Sequence, residues 1–292
     1  MKNKKILIIG GTGALGKTLL KRYYDNNEVI VFSRDEHKHY HLLKEYKDIV
    51  SVIGDVKDKD SVMNVLLQYN PHIVINTAAL KHVPICEDNP YESVKTNIIG
   101  HQNVIECVNT YGKVESLIFV STDKACKPIN VYGMSKAISE QLYVSYAKKQ
   151  LNTKVVLVRY GNVLESTGSV IPYFKDLLKQ ATDLIDWAYD YEHSHGKIAV
   201  PKVKSLKVTD IANVLIESYN VDCSLKEIGI RPGEKLHEEM ISSEEWLRTE
   251  ELADFLLIGN ENINTEQHSY NSLDYLMDSS DAHEFLKNSG VI

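Results

Sequence analysis

Tyr132 and Lys136 bracket the pentapeptide Tyr-Gly-Met-Ser-Lys. This i, i+4 spacing puts two side chains on one face of a helix. A lysine ammonium beside a phenol favours the phenolate, so a tyrosine with an ordinary pKa of roughly 10 can serve as a base at neutral pH. Just upstream, Ser121-Thr122-Asp123-Lys124 follows the apolar run Leu117-Ile118-Phe119-Val120, which reads as a buried strand. A hydroxyl, an acid and an amine therefore stand at a strand's end, next to the Tyr/Lys helix. Proton transfer is the chemistry these residues suit.

The elements that position them begin at the N-terminus. Lys5 to Ile9 reads as a strand, and Gly10-Gly11-Thr12-Gly13-Ala14-Leu15-Gly16 follows directly. A helical pattern then runs from Ala14 to Tyr24, with Leu15, Leu19 and Leu20 on one side. Strand, glycine turn and helix in this order form the dinucleotide fingerprint, in which the backbone approaches a pyrophosphate at a helix N-terminus. The second strand, Glu28 to Phe32, ends in Ser33-Arg34-Asp35. A carboxylate there suits a ribose 2′-hydroxyl, and a basic residue a 2′-phosphate. Arg34 and Ser33 favour NADP over NAD, with Asp35 as the opposing feature.

Further strands are expected at 49–53, 71–76, 117–120 and 155–158, with helices at 60–68, 91–110 and 132–149. The alternation predicts a parallel, doubly wound α/β sheet of Rossmann type. Its ligand crevice lies beyond the carboxyl ends of the strands. Asp55 with Val56, Ala78 and Ala79, Thr122, and Arg159-Tyr160-Gly161-Asn162 with Val163 all fall at such ends. After Asn162 the rhythm changes. Residues 168–172 read as a loop, 173–179 and 183–191 as helices, 197–200 as a strand, 209–219 as a helix capped by Thr209, and 227–230 as a strand. The remainder reads as helical, then polar. This predicts a Rossmann domain over 1–163 with a return segment at about 197–222. A smaller, interleaved substrate lobe takes 164–196 and 223–292. No internal repeat or linker is evident.

Bulk composition narrows the class. Charged residues make up 25% of the chain, apolar residues 43%, and the formal net charge is −7, values suited to a soluble globular enzyme without a nucleic-acid partner. The apolar run at 6–9 is too short for a signal peptide, and no run approaches membrane-spanning length. A cytoplasmic protein is expected. Cys86, Cys107, Cys126 and Cys223 are far apart, which predicts free thiols. The alternating histidines 37, 39, 41 and 193, 195 lack further ligand spacing, so no metal site is expected.

With these residues assembled, the chain resembles the extended short-chain dehydrogenase/reductase superfamily. Within it, the chain is similar to the C5-inverting UDP-N-acetylglucosamine 4,6-dehydratases of capsule and flagellin-glycan synthesis. The glycine turn at 10–16 and Tyr-x-x-x-Lys at 132–136 carry the broad resemblance. The narrower one rests on Thr77-Ala78-Ala79-Leu80-Lys81-His82-Val83-Pro84, Ser121 to Ala125, Arg159 to Val163 with Gly168-Ser169-Val170-Ile171-Pro172, and Ile230-Arg231-Pro232-Gly233-Glu234-Lys235-Leu236-His237-Glu238-Glu239. Related nucleotide-glucose dehydratases carry Asp-Glu where this chain has Asp123-Lys124, and simple 4-epimerases lack the pair. One departure stands out. The family's Thr-Arg-Phe loop after the Phe174 helix is missing, and residues 179–180 run directly into the next helix. That region helps the family enclose its nucleotide-sugar.

The resemblance implies a redox-neutral dehydration with NADP retained through turnover. Tyr132, kept acidic by Lys136, takes the proton of the sugar C4 hydroxyl, which Thr122 orients. Lys124, its pKa lowered by a cationic site, removes the C5 proton. Asp123, its pKa raised, protonates the departing C6 hydroxyl. Arg231 suits the substrate pyrophosphate or else pairs with Glu234 between lobes. Asn162 and Ser169 contact sugar or phosphate or only stabilise their loops. Lys81 reaches the sugar side or stays a solvated lysine. Asn97 bonds backbone near the site. The helices at 91–110 and 131–149 imply a homo-oligomer, a dimer or higher. Two other functions fit the same residues: a nucleotide-sugar 4-epimerase, and a non-catalytic NADP-binding protein.

Overall fold

The computed structural model describes residues 1–150, 152–161, 171–220, 222–230 and 233–288. Strand and helix alternate first: β1 (Lys5–Ile9), α1 (Ala14–Tyr23), β2 (Glu28–Ser33), α2 (Glu36–Glu45), β3 (Val50–Ile53), α3 (Lys59–Tyr69) and β4 (Ile73–Asn76). A helical run follows, made of α4 (Val83–Asp88), α5 (Pro90–Ser93), a π-helical turn (Val94–Ile99) and α6 (Gly100–Tyr111). Then come β5 (Ser116–Val120), a 3₁₀ turn (Asp123–Ala125), α7 (Val131–Ala147), β6 (Lys154–Val158), α8 (Ile171–Asp190), β7 (Ile198–Pro201) and α9 (Val208–Tyr219). The last elements are β8 (Glu239–Ile241), α10 (Ser243–Trp246), β9 (Thr249–Glu251), β10 (Phe255–Ile258), β11 (Tyr270–Asn271) and α11 (Ser279–Asn288).

The main sheet has nine strands in the order β3-β2-β1-β4-β5-β6-β7-β10-β9. The strands from β3 to β7 are parallel. β10 and β9 add to the far edge in antiparallel register. The central strands are apolar along their whole length because both faces are covered. Leu7 and Ile9 of β1 join the core beneath α3, α6 and α7, while Ile6 and Ile8 face α1 and α8. Each of these side chains is at most 1% exposed, and each contributes about 1.5–3 kcal/mol by burial. The chain winds outward from β1 to β3, then crosses back to β4. This reversal opens a crevice beside the carboxyl end of β1.

The predicted α/β sheet and the predicted face of α1 are present: Leu15, Leu19 and Leu20 are buried. Several local expectations differ. Residues 227–230 form no strand and are exposed, whereas the short strand β8 pairs with β11. The expected helical remainder contains β8 to β11. Two parts of the expected smaller lobe belong to the sheet. Residues 171–190 form one uninterrupted helix rather than two, and its Ala181, Leu184, Ile185 and Ala188 seal one sheet face. β9 and β10 extend the sheet edge. Helix α9, assigned to the return segment, packs its Val214 against Leu286 of α11. Its N-cap position is Lys207 rather than Thr209, without a side-chain cap. The expected helix at 91–110 is broken by the π-helical turn.

Candidate active site

The crevice is a cleft of about 470 Å³ lined from the glycine turn across the ends of β2, β3, β4 and β5 to Tyr132, Lys136 and Tyr160. The glycine turn forms because Gly10 takes φ +81°, and a Cβ there would stand 2.7 Å from Thr77 Oγ1 and 2.8 Å from the Ala78 nitrogen. Only glycine fits such a left-handed, crowded position. Gly13 then stands at the N-cap of α1 without a side-chain cap. The first N–H groups of α1 therefore remain open toward the cleft, where an anion would meet them and the helix dipole.

At the β2 end, the Arg34 guanidinium lies 3.7 Å from Asp55, which Lys57 also approaches at 3.6 Å. The Ser33 hydroxyl contacts Thr12 Oγ1 and His39 Nε2, each at 2.8 Å, and His39 Nδ1 reaches Ser51 at 2.6 Å. Asp35 caps α2, accepting from the Lys38 N–H at 3.1 Å. Its carboxylate is thus engaged in starting the helix.

The cleft wall at 77–80 is clamped from the π-helical turn. Asn97 accepts the Leu80 N–H at 2.8 Å and donates to the Leu80 carbonyl and to Ser135 of α7, each at 2.9 Å. His101 donates from Nε2 to the Ala78 carbonyl at 2.8 Å. Burial, with the nearby Lys136 charge, pulls its pKa down to about 3, so the ring is neutral at physiological pH.

Tyr132 and Lys136 both face the cleft from the first turns of α7. Asn130 caps this helix by accepting the Gly133 N–H at 2.8 Å. Gly133 lets α7 lie against the Asp123–Ala125 turn, since a Cβ there would collide with the Lys124 carbonyl oxygen. Burial pushes the Tyr132 phenol above its ordinary range, Tyr160 adds to this, and a hydrogen bond with Thr122 opposes it. Lys136 donates to the Val120 carbonyl at 2.5 Å and sits 4.1 Å over the Phe119 ring. Burial pulls its ammonium down to about 7. The expected acidification of Tyr132 by Lys136 is therefore not present in this arrangement. Desolvation raises the phenol, and the lysine is bonded to backbone.

Thr122 joins the two halves of the site. Its hydroxyl donates to Asp123 Oδ1 at 2.9 Å. The Asp123 side chain is 2% exposed and takes the Lys124 ammonium at 3.2 Å. Glu238 takes the same ammonium at 3.1 Å. Burial opposes the charge on Lys124, but the two carboxylates outweigh it and raise its pKa. The site expected to be cationic is anionic, which reverses the expected lowering.

Behind these groups lies a buried ion cluster. Arg159, 1% exposed, donates to Glu140 at 3.0 and 2.6 Å and to Glu245 at 2.9 Å through each of two nitrogens. It also donates to the Met240 carbonyl at 2.8 Å, and Ser121 donates to Glu140 at 2.6 Å. Burial disfavours the Glu245 anion, yet Arg159 and the Ser242 capping box hold it at about 2. The cluster ties the 238–246 segment to the catalytic helix.

The structure brings Gly10, Thr12, Gly13, Ala14, Leu15, Gly16, Ser33, Arg34, Asp55, Val56, Ala78, Ala79, Lys81, Tyr132, Lys136 and Tyr160 to one cleft. Thr122, Asp123 and Lys124 adjoin it, following directly on Ser121 of the lining. Glu234 is exposed. Asn162, Val163, Ser169 and Arg231 lie outside the described residues. Sequence reasoning assigned no role to Glu238, Glu140, Glu245, His39 or Gly133. Glu238 stands inside a recognised motif, but its partner is over a hundred positions away, so only the fold reveals it.

A doubly wound sheet with a Tyr-x-x-x-Lys helix at its crevice defines a protein of the short-chain dehydrogenase/reductase type. The chain belongs to the polysaccharide biosynthesis protein family, whose model matches residues 6–185 and 176–260. It is 40% identical to a UDP-N-acetylglucosamine 4,6-dehydratase (inverting) of Campylobacter jejuni, over 88% of this chain and 84% of the relative. It is 36% identical to a UDP-glucose 4-epimerase of Rickettsia bellii, over 88% of this chain and 83% of the relative. Among solved structures, it resembles Pen from Bacillus thuringiensis with a TM-score of 0.88 and 33% identity, covering 100% of this chain and 99% of that one.

Proposed function

We propose that the protein is a UDP-N-acetylglucosamine 4,6-dehydratase that inverts C5, a lyase working redox-neutrally with bound NADP. The observation that carries this reading is that Tyr132 and Lys136 line the end of the cleft where Thr122, Asp123 and Lys124 run on from Ser121 of the same lining and are bonded in series. This arrangement joins a group suited to C4 oxidation to an acid and an amine suited to elimination.

The cleft fits a nicotinamide dinucleotide. The Gly10 cradle would be filled by a Cβ, the α1 N-terminus is open to a pyrophosphate, and Arg34 and Lys38 line the β2 end. With Asp35 engaged as a helix cap, NADP suits this end better than NAD. When bound, the group would take up the C4 hydride and return it to C6 after water leaves, so that the overall reaction is redox-neutral, and its cationic oxidised ring would favour the Tyr132 phenolate. Tyr132 takes the proton from the C4 hydroxyl, which Thr122 orients. The resulting 4-ketone acidifies the C5 proton. Lys124 must be neutral to accept that proton, and Asp123 must be protonated to release the C6 hydroxyl as water. A proton hop from Lys124 to Asp123 across their 3.2 Å contact prepares both groups at once.

Incubation with UDP-N-acetylglucosamine in deuterated water tests the reading. The expected product is a 4-keto-6-deoxy sugar lacking one water and deuterated at C5. The lesser similarity to named 4-epimerases motivates the second reading, which predicts an unlabelled C4 epimer; that product overturns the proposal. Tight NADP binding with no turnover of any UDP-sugar would instead indicate a non-catalytic protein.

A further inference from the structure

Glu238 lies on the far side of Lys124 from Asp123, and its geometry is built rather than incidental. Its Oε1 accepts the ammonium at 3.1 Å, while Oε2 is buried without a hydrogen-bond partner. Its backbone is held from both sides. The Ser272 N–H donates to the Glu238 carbonyl at 3.0 Å, and two residues on, Arg159 holds the Met240 carbonyl at 2.8 Å. The adjacent Glu239 points elsewhere, to Lys127 at 2.9 Å.

We propose that Glu238 is a positioning residue that holds the Lys124 amine beside Asp123 and sets its basicity. This deepens the dehydratase reading and rests on it for the role of Lys124. After the hop from Lys124, Asp123 is neutral, and Glu238 is the carboxylate still paired with the amine. A neighbouring anion makes that amine a stronger acceptor for the C5 proton. The other ionisable groups near the turn are otherwise engaged. Tyr132 and Tyr160 flank Asp123 rather than Lys124, Lys235 donates to the Cys126 carbonyl, His237 contacts Ser272, and Arg159 is closed by Glu140 and Glu245.

The test compares Glu238→Gln with the wild type and with Glu239→Gln in the full chain. Competitive labelling of lysines with acetic anhydride across pH, read by peptide mass spectrometry, gives the Lys124 midpoint without any substrate. Glu238→Gln is expected to lower that midpoint by about one pH unit, and Glu239→Gln to leave it in place. The acid limb of C5 deuterium exchange is expected to move by the same amount and in the same direction. An unchanged Lys124 midpoint in Glu238→Gln overturns the proposal, as does an equal fall in both variants, which would mark a general loosening of the segment. A shifted labelling midpoint with no exchange in the wild type would sink the dehydratase reading while leaving the Glu238–Lys124 coupling intact.

Discussion

Lys136 is buried and Lys124 half-buried on two sides of one site, and they have opposite charge preferences. Lys136 meets a carbonyl and an aromatic ring, and burial brings its pKa to about 7. Lys124 meets two carboxylates, and its pKa rises. Burial therefore does not decide the charge of a lysine; the partners admitted with it do. The contrast has a structural origin. Glu140 stands one helical turn after Lys136 on α7, where it would naturally pair with it. Arg159 instead occupies both Glu140 oxygens, and Ser121 donates to one of them as well. Through that competition, a residue at the end of β6 keeps Lys136 without an ion-pair partner among the described residues.

The sharpest test removes each side of the comparison. Lys124→Ala is expected to lower C5 exchange on the order of 10³-fold while binding of the nicotinamide cofactor is retained. Tyr132→Phe is expected to lose the transient NADPH absorbance in a single turnover by a similar factor, because it blocks the earlier step. Normal C5 exchange in Lys124→Ala would remove that lysine from the role of base.

Arg159→Met comes next. It leaves Glu140 and Glu245 buried without their common cation, which costs about 3–5 kcal/mol in unfolding free energy. It also frees Glu140 for Lys136, so the Lys136 midpoint read by amine labelling should rise. A variant as stable as the wild type, with the midpoint unmoved, would break the explanation for the two lysines.

The smallest effect is a pH-dependent one. A lysine depressed to about 7 binds fewer protons folded than unfolded between pH 7 and its ordinary value near 10.5. Its destabilising contribution is complete below pH 7 and is relieved as pH rises toward 10.5. Lys136→Met should therefore raise unfolding stability by roughly 2–4 kcal/mol at pH 6, with the gain shrinking toward pH 10 as C4 oxidation is lost throughout. For Lys124, whose folded pKa is raised, the sign is reversed: its contribution to stability is present below 10.5 and is lost only above it. Thermal melts of each variant against the wild type across pH resolve the two.

The parallel half of the fold was readable because most of its strands carry a contiguous apolar run between turn residues. Helix α2 was not read, since only His39 and Leu42 of its ten residues are buried and no apolar stripe marks it. The strand β9 was missed for a different reason. Thr249-Glu250-Glu251 has no strand pattern of its own and pairs only because β10 offers an edge. Conversely, Glu227 to Ile230 has the pattern but finds no edge.

The sequence by itself determined the local chemistry: the glycine turn, the Tyr132–Lys136 face, and the adjacency of Thr122, Asp123 and Lys124. These follow from spacing along one chain segment, which helix and turn geometry convert directly into proximity. Tertiary structure alone decided the protonation preferences. Glu238, Glu245 and Arg159 reach the site from distant segments, and electrostatic interaction depends on distance through the folded interior rather than along the chain. The sequence named the two lysines; only the fold, by giving carboxylates to one and withholding them from the other, made them chemically different.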